Sequence, residues 1–153
     1  MKLGKATPIL RIFDEAKAKE FYVGFLGFTV DWEHRFEPDL PVYMQVSRDA
    51  CILHLSEHHG DACPGAALRI EVADLKARHA ELAENRYKYA RPGIERMPWG
   101  TRDMSVKDPF GNRLTFFEDT GNMIALRSTR GCLQPNFLCG QHFFSTLLSS
   151  KLH

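Results

Sequence analysis

The chain follows one plan twice. From Thr7 to Phe13 a short apolar run with Pro8 inside it reads as a strand, and Asp14 stands as an N-cap before a helix. Ala18, Phe21, Tyr22, Phe25 and Leu26 fall at i, i+3, i+4, i+7 and i+8, so one stripe of that helix is expected to be buried. Gly27 ends it, and strands are predicted over 28–36, 41–48 and 50–56. The order then restarts: a strand from Ala66 to Val72, the cap Asp74, and a helix over 75–85 with Leu75, Leu82 and Ala83 inward. Strands follow over 87–96, 101–107 and 112–118. Leu10-Arg11-Ile12 recurs as Leu68-Arg69-Ile70, Asp14 as Asp74, and Leu53 and Glu57 as Leu114 and Glu118. Offsets of 58 to 61 leave the first-strand register open by two residues, a slip that keeps every side chain on the same face. Generic strand and cap residues would produce some such matches by chance.

A βαβββ unit carries its helix on one sheet face and leaves the other open. The expected fold class is therefore α+β, two paired βαβββ modules forming a curved mixed sheet with a cleft between the open faces. Alternation turns Leu10 and Ile12 to the helix and Thr7, Ile9, Arg11 and Phe13 to the cleft. In the repeat Leu68, Ile70 and Val72 pack outward, while Ala67, Arg69 and Glu71 turn inward. The fourth strands offer His54 and Ser56 from one module and Arg113, Thr115 and Phe117 from the other. On the second strand Val30, Trp32, His34 and Phe36 form one apolar face beside Tyr43 and Met44, which makes Trp32 and Phe36 candidates for ligand contact as well as for core. His54 is a hydrogen-bond partner or a possible general base, with no nucleophile or oxyanion donor identified beside it. His58 and His59 sit with Glu57 and Asp61 in what reads as a solvated turn. Glu71 is a candidate partner for Arg69 or Arg11 in a network shaping the cleft wall.

Twenty basic residues against 19 acidic ones leave a net charge of +1 in 153 residues, which argues against a nucleic-acid partner. The only uncharged run of membrane-spanning length, 131–150, is broken by Gln134, Pro135, Asn136, Gln141 and His142, so no membrane span is expected. With no export signal read at the N-terminus, a cytoplasmic location is expected, with Cys51, Cys63, Cys132 and Cys139 as thiols. Every acidic residue lies at or before Asp119. We therefore expect a paired-module domain over 1–119, with modules at about 5–60 and 64–119, and an extension over 120–153. That extension carries Leu126, Phe137, Phe143, Phe144, Leu147 and Leu148, suits packing on a neighbouring subunit, and has a short helix candidate at 141–150. Its Cys132, Cys139 and His142 supply too few ligands for a zinc site.

Over residues 5–119 the paired plan resembles the vicinal oxygen chelate superfamily of glyoxalases, ring-cleaving dioxygenases and antibiotic resistance proteins. The resemblance rests on Glu20-Phe21-Tyr22 through Leu26-Gly27-Phe28 and on Asp108-Pro109-Phe110-Gly111-Asn112. Pro8, Leu55-Ser56-Glu57-His58-His59-Gly60 and Pro98-Trp99-Gly100 bring it nearest to the bleomycin resistance proteins, hence the glyoxalase/bleomycin resistance fold. Enzymes of the superfamily hold a divalent ion at four positions, which here are Thr7, His54, Ala67 and Thr115; only His54 is a good ligand, so no metal and no cofactor are expected. The resemblance instead implies a non-catalytic protein that binds and sequesters a small molecule of the bleomycin type, with metal-dependent glyoxalase or dioxygenase chemistry, or a cleft for an anionic metabolite, as alternatives. It also implies a homodimer with an exchanged N-terminal strand hinged at Pro8, and stacking of Trp99 on planar drug rings. The ligand-binding candidates are Trp32, Phe36, His54, Arg69, Trp99, Arg113, Thr115 and Phe117. Drug-binding members carry aromatics where this chain has Arg69 and Glu71, and Arg11, Arg69 and Arg113 favour an anionic or carboxylate-bearing ligand.

Overall fold

Asp14 and Asp74 each cap a helix from an extended backbone, and each helix is followed by three strands. The computed structural model describes residues 2–85, 87–88 and 90–121. The expectations for 120–153 beyond Gly121, namely the apolar packing, the short helix and the Cys132, Cys139 and His142 spacing, lie outside the described residues. Strand β1 (Ile9–Arg11), helix α1 (Glu15–Lys19, continuing as a wider π-type helix over Glu20–Phe25), β2 (Thr29–His34), β3 (Tyr43–Arg48) and β4 (Cys51–Ser56) make module one. Module two is β5 (Ala67–Glu71), α2 (Leu75–Glu84), β6 (Glu95–Arg96), β7 (Thr101–Lys107) and β8 (Arg113–Asp119). The sheets have orders β1-β4-β3-β2 and β5-β8-β7-β6, with each first strand parallel to its fourth and the other pairs antiparallel. The expected α+β fold of paired βαβββ modules is the observed one.

The helix stripe of module one is buried as its spacing predicts: Ala18, Phe21, Tyr22 and Leu26 are fully enclosed and Phe25 nearly so. Phe21 lies edge-on to Tyr22 and Tyr87, and Phe25 stacks on Tyr87, so the helix of module one packs on the chain that follows α2. Each aromatic so buried contributes about 1.5–3 kcal/mol of hydrophobic stabilisation. In α2, Leu75 and Leu82 are buried as expected, but Ala83 is exposed and Arg78 is buried in its place. Arg78 donates to Leu26 O at 2.8 Å and to Glu81, which also receives both terminal nitrogens of Arg48, at 2.7 and 3.0 Å.

Three sequence expectations are corrected. The strand expected over 87–96 is reduced to Glu95–Arg96, because Tyr87 and Ala90 pack against the core instead. In β2 a bulge between Val30 and Trp32 breaks the alternation. Val30 pairs with buried Val46 on the helix side, while Asp31 and Trp32 both reach the open face, so Val30 and Trp32 do not share one face. The first strands correspond at an offset of 60, the separation of the two caps, with Ile9 level with His54 as Arg69 is level with Thr115. The Leu10-Arg11-Ile12 likeness to Leu68-Arg69-Ile70 is therefore two residues out of structural register, and Arg11 corresponds to Glu71.

Asp108-Pro109-Phe110-Gly111-Asn112 joins the modules. Asp108 Oδ1 accepts the backbone N–H groups of Phe110 (2.9 Å) and Asn112 (2.7 Å). Its Oδ2 accepts Tyr22 O–H and Asn112 Nδ2–H, each at 2.7 Å. Asn112 also donates to Arg11 O at 2.8 Å and accepts from Ala66 N at 3.2 Å. Gly111, at φ 90°, permits the turn without strain.

Candidate functional site

Register fixes which side chains share the open face of module one. Ile9, His54, Gln45 and Trp32 form one transverse row and Arg11, Ser56, Tyr43 and His34 the next. Trp32, 42% exposed, stacks on Tyr43 with centroids 5.9 Å apart and rings 16° from parallel, and lies edge-on to His54 at 5.4 Å. Both nitrogens of His54 are engaged: Nε2 meets Gln45 Oε1 at 3.0 Å and Nδ1 meets Tyr43 O–H at 2.8 Å. Gln45 gives its own N–H to Asp31 Oδ2 at 2.7 Å, so its carbonyl accepts and His54 Nε2 carries the proton. The hydrogen bonds from Gln45, then Ser47, hold the Asp31 carboxyl below its ordinary range. Asp31 and Gln45 join this cluster without having been candidates from the sequence, and Tyr43, named there only for its strand, is bonded to His54; the signal for Gln45 and Tyr43 was their alternation on β3.

Phe36 stands outside the sheet, 74% exposed, edge-on to His34 and His58. At the corner near module two, Arg11 Cζ lies 4.9 Å from the Phe13 centroid, and its Nη1 is buried with no hydrogen-bond partner among the described residues.

The open face of module two is built from Ala67, Arg69 and Glu71 on β5, Arg113, Thr115 and Phe117 on β8, and Thr101, Asp103 and Ser105 on β7. Arg69 Nη1 and Nη2 donate to Asp103 Oδ2 and Oδ1 at 2.7 and 3.1 Å, and Arg69 Cζ lies 4.5 Å over the Phe117 ring. Burial works against ionising Asp103, but the Arg69 and Thr101 hydrogen bonds prevail and hold its carboxyl below the ordinary value. Asp103, not Glu71, is thus the partner of Arg69. Thr115 shares a hydrogen bond with Ser105 at 2.8 Å. Arg113 is exposed and makes no ion pair among the described residues. Trp99, 49% exposed, stands at the tip of the turn between β6 and β7, held by Met97 N to Thr101 O (2.8 Å) and Gly100 N to Met97 O (3.0 Å).

The structure thus brings Trp32 together with His54, and Arg69 with Phe117 and Thr115, while Phe36, Trp99 and Arg113 stand apart. Two half-open hollows lie elsewhere among the described residues. One of about 450 Å³ is lined by Phe28, Arg48, Cys51, Val72, Ala77 and Phe116, and one of about 580 Å³ by His79, Leu82, Tyr87 and Pro92 among others. We place the candidate site on the open faces, because those carry the exposed aromatic and charged groups.

The four superfamily metal positions do not fit a metal. His54 has both nitrogens committed, Thr115 is bonded to Ser105, Thr7 offers only a hydroxyl, and Ala67 has no donor. Among the described residues no group of three or more His, Cys, Asp or Glu is arranged to hold a metal ion, and no helix is long and apolar enough to cross a membrane.

A bleomycin-binding protein complexed with bleomycin is 21% identical, with a TM-score of 0.61 over 76% of this chain and 99% of that one. A glyoxalase/bleomycin resistance protein from Streptomyces sp. CB03234 is 25% identical, with a TM-score of 0.57 over 74% and 98%. An antibiotic-binding protein from the same organism is 23% identical, with a TM-score of 0.59 over 78% and 98%. At these identities the likeness to the first and third shows the shared fold. No curated protein matches the chain. The family model described as glyoxalase superfamily protein matches residues 1–122, both modules together, and the chain belongs to that superfamily.

Proposed function

We propose that the protein binds and sequesters a small molecule of the antibiotic type on its open sheet faces and does so without chemistry. The observation that carries this reading is the Trp32, Tyr43 and His54 cluster: an aromatic surface left exposed on a sheet, with its histidine fixed in one tautomer. Stacked rings held this way offer a planar ligand large contact area at small loss of side-chain entropy. The superfamily and the bleomycin-binding and antibiotic-binding structural neighbours support the ligand class. Bleomycin itself is the first ligand to test.

Ile9, Trp32 and Ile52 are 38%, 42% and 39% exposed on one sheet face, which suits completion of the site by a second copy of the chain. Residues 2–7 form no strand, and Pro8 O accepts His54 N at 3.0 Å where β1 enters the sheet. Exchange hinged at Pro8 would pass this arm to the partner while β1 stays on its own β4.

The test is titration of metal-free and metal-bound bleomycin, followed by tryptophan fluorescence, with sedimentation before and after addition. Saturable quenching at micromolar drug or tighter in a dimer, weakened at least about tenfold in Trp32→Ala, is the expected result. A flat titration removes the drug, and a monomer that binds tightly removes the two-chain site.

A further inference from the structure

We propose that Arg69 determines the specificity of this site by acting as a flat guanidinium platform, neutralised by Asp103 and backed by Phe117, on whose open side a planar conjugated ring stacks. The inference rests on the reading that the open sheet faces bind a small molecule, and it names the ligand class.

Arg69 differs from the other open-face arginines in being fully built in. Its two terminal nitrogens grip a carboxylate whose residue is only 3% exposed, and Thr101 Oγ1 also donates to that carboxylate, to the Oδ1 that accepts Arg69 Nη2, at 2.6 Å. Arg69 Cζ lies over the Phe117 ring, 4.5 Å from its centroid. The terminal nitrogens are taken and Phe117 lies against the guanidinium, yet the side chain remains 44% exposed, and in this proposal that exposure belongs to the side away from Phe117. Arg11 also lies over a ring, that of Phe13, but has a buried nitrogen without a partner among the described residues, and Arg113 makes no ion pair there; neither has a carboxylate holding both terminal nitrogens.

This arrangement changes what Arg69 selects. A free guanidinium attracts anions at a distance; one locked on a carboxylate has its charge cancelled locally and offers a weakly hydrated, delocalised surface. The orientation is fixed before binding, so little conformational freedom is lost when a ring settles on it. The ligand class is a planar aromatic or conjugated molecule, uncharged or singly anionic, preferred over an aliphatic molecule of the same charge. A lysine would keep the ion pair and lose the plane.

Calorimetric titration of the full chain with 2-naphthoate, 2-naphthamide and trans-decalin-2-carboxylate tests this. Both naphthalene compounds are expected to bind within about threefold of each other and the decalin acid about tenfold more weakly, the range of one stacking contact. Arg69→Lys is expected to weaken both naphthalene compounds by about five- to tenfold. Asp103→Asn unmasks the charge and should shift the naphthoate-to-naphthamide ratio at least about fivefold toward the anion. Near-UV circular dichroism establishes that each variant is folded; if Asp103→Asn does not fold, Arg69→Lys decides. A decalin acid that binds as well as naphthoate, an unchanged Arg69→Lys, or no naphthalene binding at millimolar probe overturns the platform. If Trp32→Ala abolishes bleomycin binding while Arg69→Lys changes nothing, Arg69 falls and the sequestering reading stands; if bleomycin titrates flat, that reading loses its drug whatever the naphthalene series does.

Discussion

Replacing Tyr22 with Phe removes one hydroxyl from the place where the helix of module one meets the β7–β8 turn. That hydroxyl donates to Asp108 Oδ2 at 2.7 Å, and both residues are buried. A hydrogen bond to a charged group is worth about 1.5–3 kcal/mol net. Asp108 keeps Asn112 Nδ2 and two backbone N–H groups, so it is not stranded, and the loss should be about 2 kcal/mol. Against a total stability on the order of 5–15 kcal/mol this lowers the melting temperature by roughly 4–8 °C. Alkaline pH supplies a sharper test. Burial first, and then the Asp108 carboxylate, push the Tyr22 phenol above its ordinary pKa of 10.0. In the unfolded chain it ionises near that value and in the folded chain it does not, so its contribution is intact below pH 10 and falls by about 1.4 kcal/mol per pH unit above. Tyr22→Phe lacks this titration and leaves every other lysine and tyrosine in place. The gap between wild type and variant should be about 2 kcal/mol at pH 8 and shrink below about 1 kcal/mol at pH 11. Urea unfolding followed by far-UV circular dichroism measures both. A gap under about 0.5 kcal/mol at pH 8, or one that does not narrow by pH 11, refutes the reasoning.

Gly27 sits at φ 69°, and a Cβ there would meet Arg48 Nη1 at 2.6 Å, the nitrogen that bonds Leu26 O and Glu81. Gly27→Ala should cost about 2–3 kcal/mol in urea unfolding, and Gly27→Asn, which tolerates the backbone but not the contact, nearly as much; rescue by Asn would show that only the backbone matters. The Arg48 hydrogen bond, opposed by burial and aided by Arg78, holds the Glu81 carboxyl below its ordinary 4.5. Its stabilising effect is therefore complete above pH 4.5 and lost as pH falls below, so thermal melts of Glu81→Gln should show a shallower decline than wild type between pH 5 and 3. Trp99→Ala should weaken bleomycin by about tenfold if the exposed turn closes on the ligand, and an unchanged affinity would leave Trp32 as the tryptophan that matters.

What the sequence made legible depended on whether a single period controlled the segment. The stripe of module one could be read because five apolar residues, four of them large, keep helical spacing, and all five are buried. The same method failed on β2, since a bulge adds one residue and reverses the facing of everything beyond it while leaving no mark in composition. It failed over 87–96 because Tyr87 and Ala90 satisfy the core as irregular chain, and apolar residues alone do not say which. The Leu-Arg-Ile likeness misled by two residues because local similarity carries no information about hydrogen-bond register, which the β1–β4 and β5–β8 ladders fix. Asp103 was visible as an alternating polar residue on β7; that it would be buried under Arg69 depended on a strand two positions away in the sheet.

The residues that mark the superfamily and those that would choose a ligand do different physical work. Tyr22, Gly27, Asp108 and Asn112 occupy junctions where one module bonds to the other, and substitution there disturbs several partners at once. Trp32 and Trp99 are about half exposed, and Arg69 leans on a pair whose loss would leave those junction bonds intact. The strand pleat separates the sets, since side chains that meet the helices and those on the open faces alternate along every regular strand. The open faces can therefore be rebuilt for a new ligand without renegotiating the core. Family membership accordingly settles the frame, and the Arg69–Asp103 pair on the open face is where the proposed ligand preference of this chain would be set.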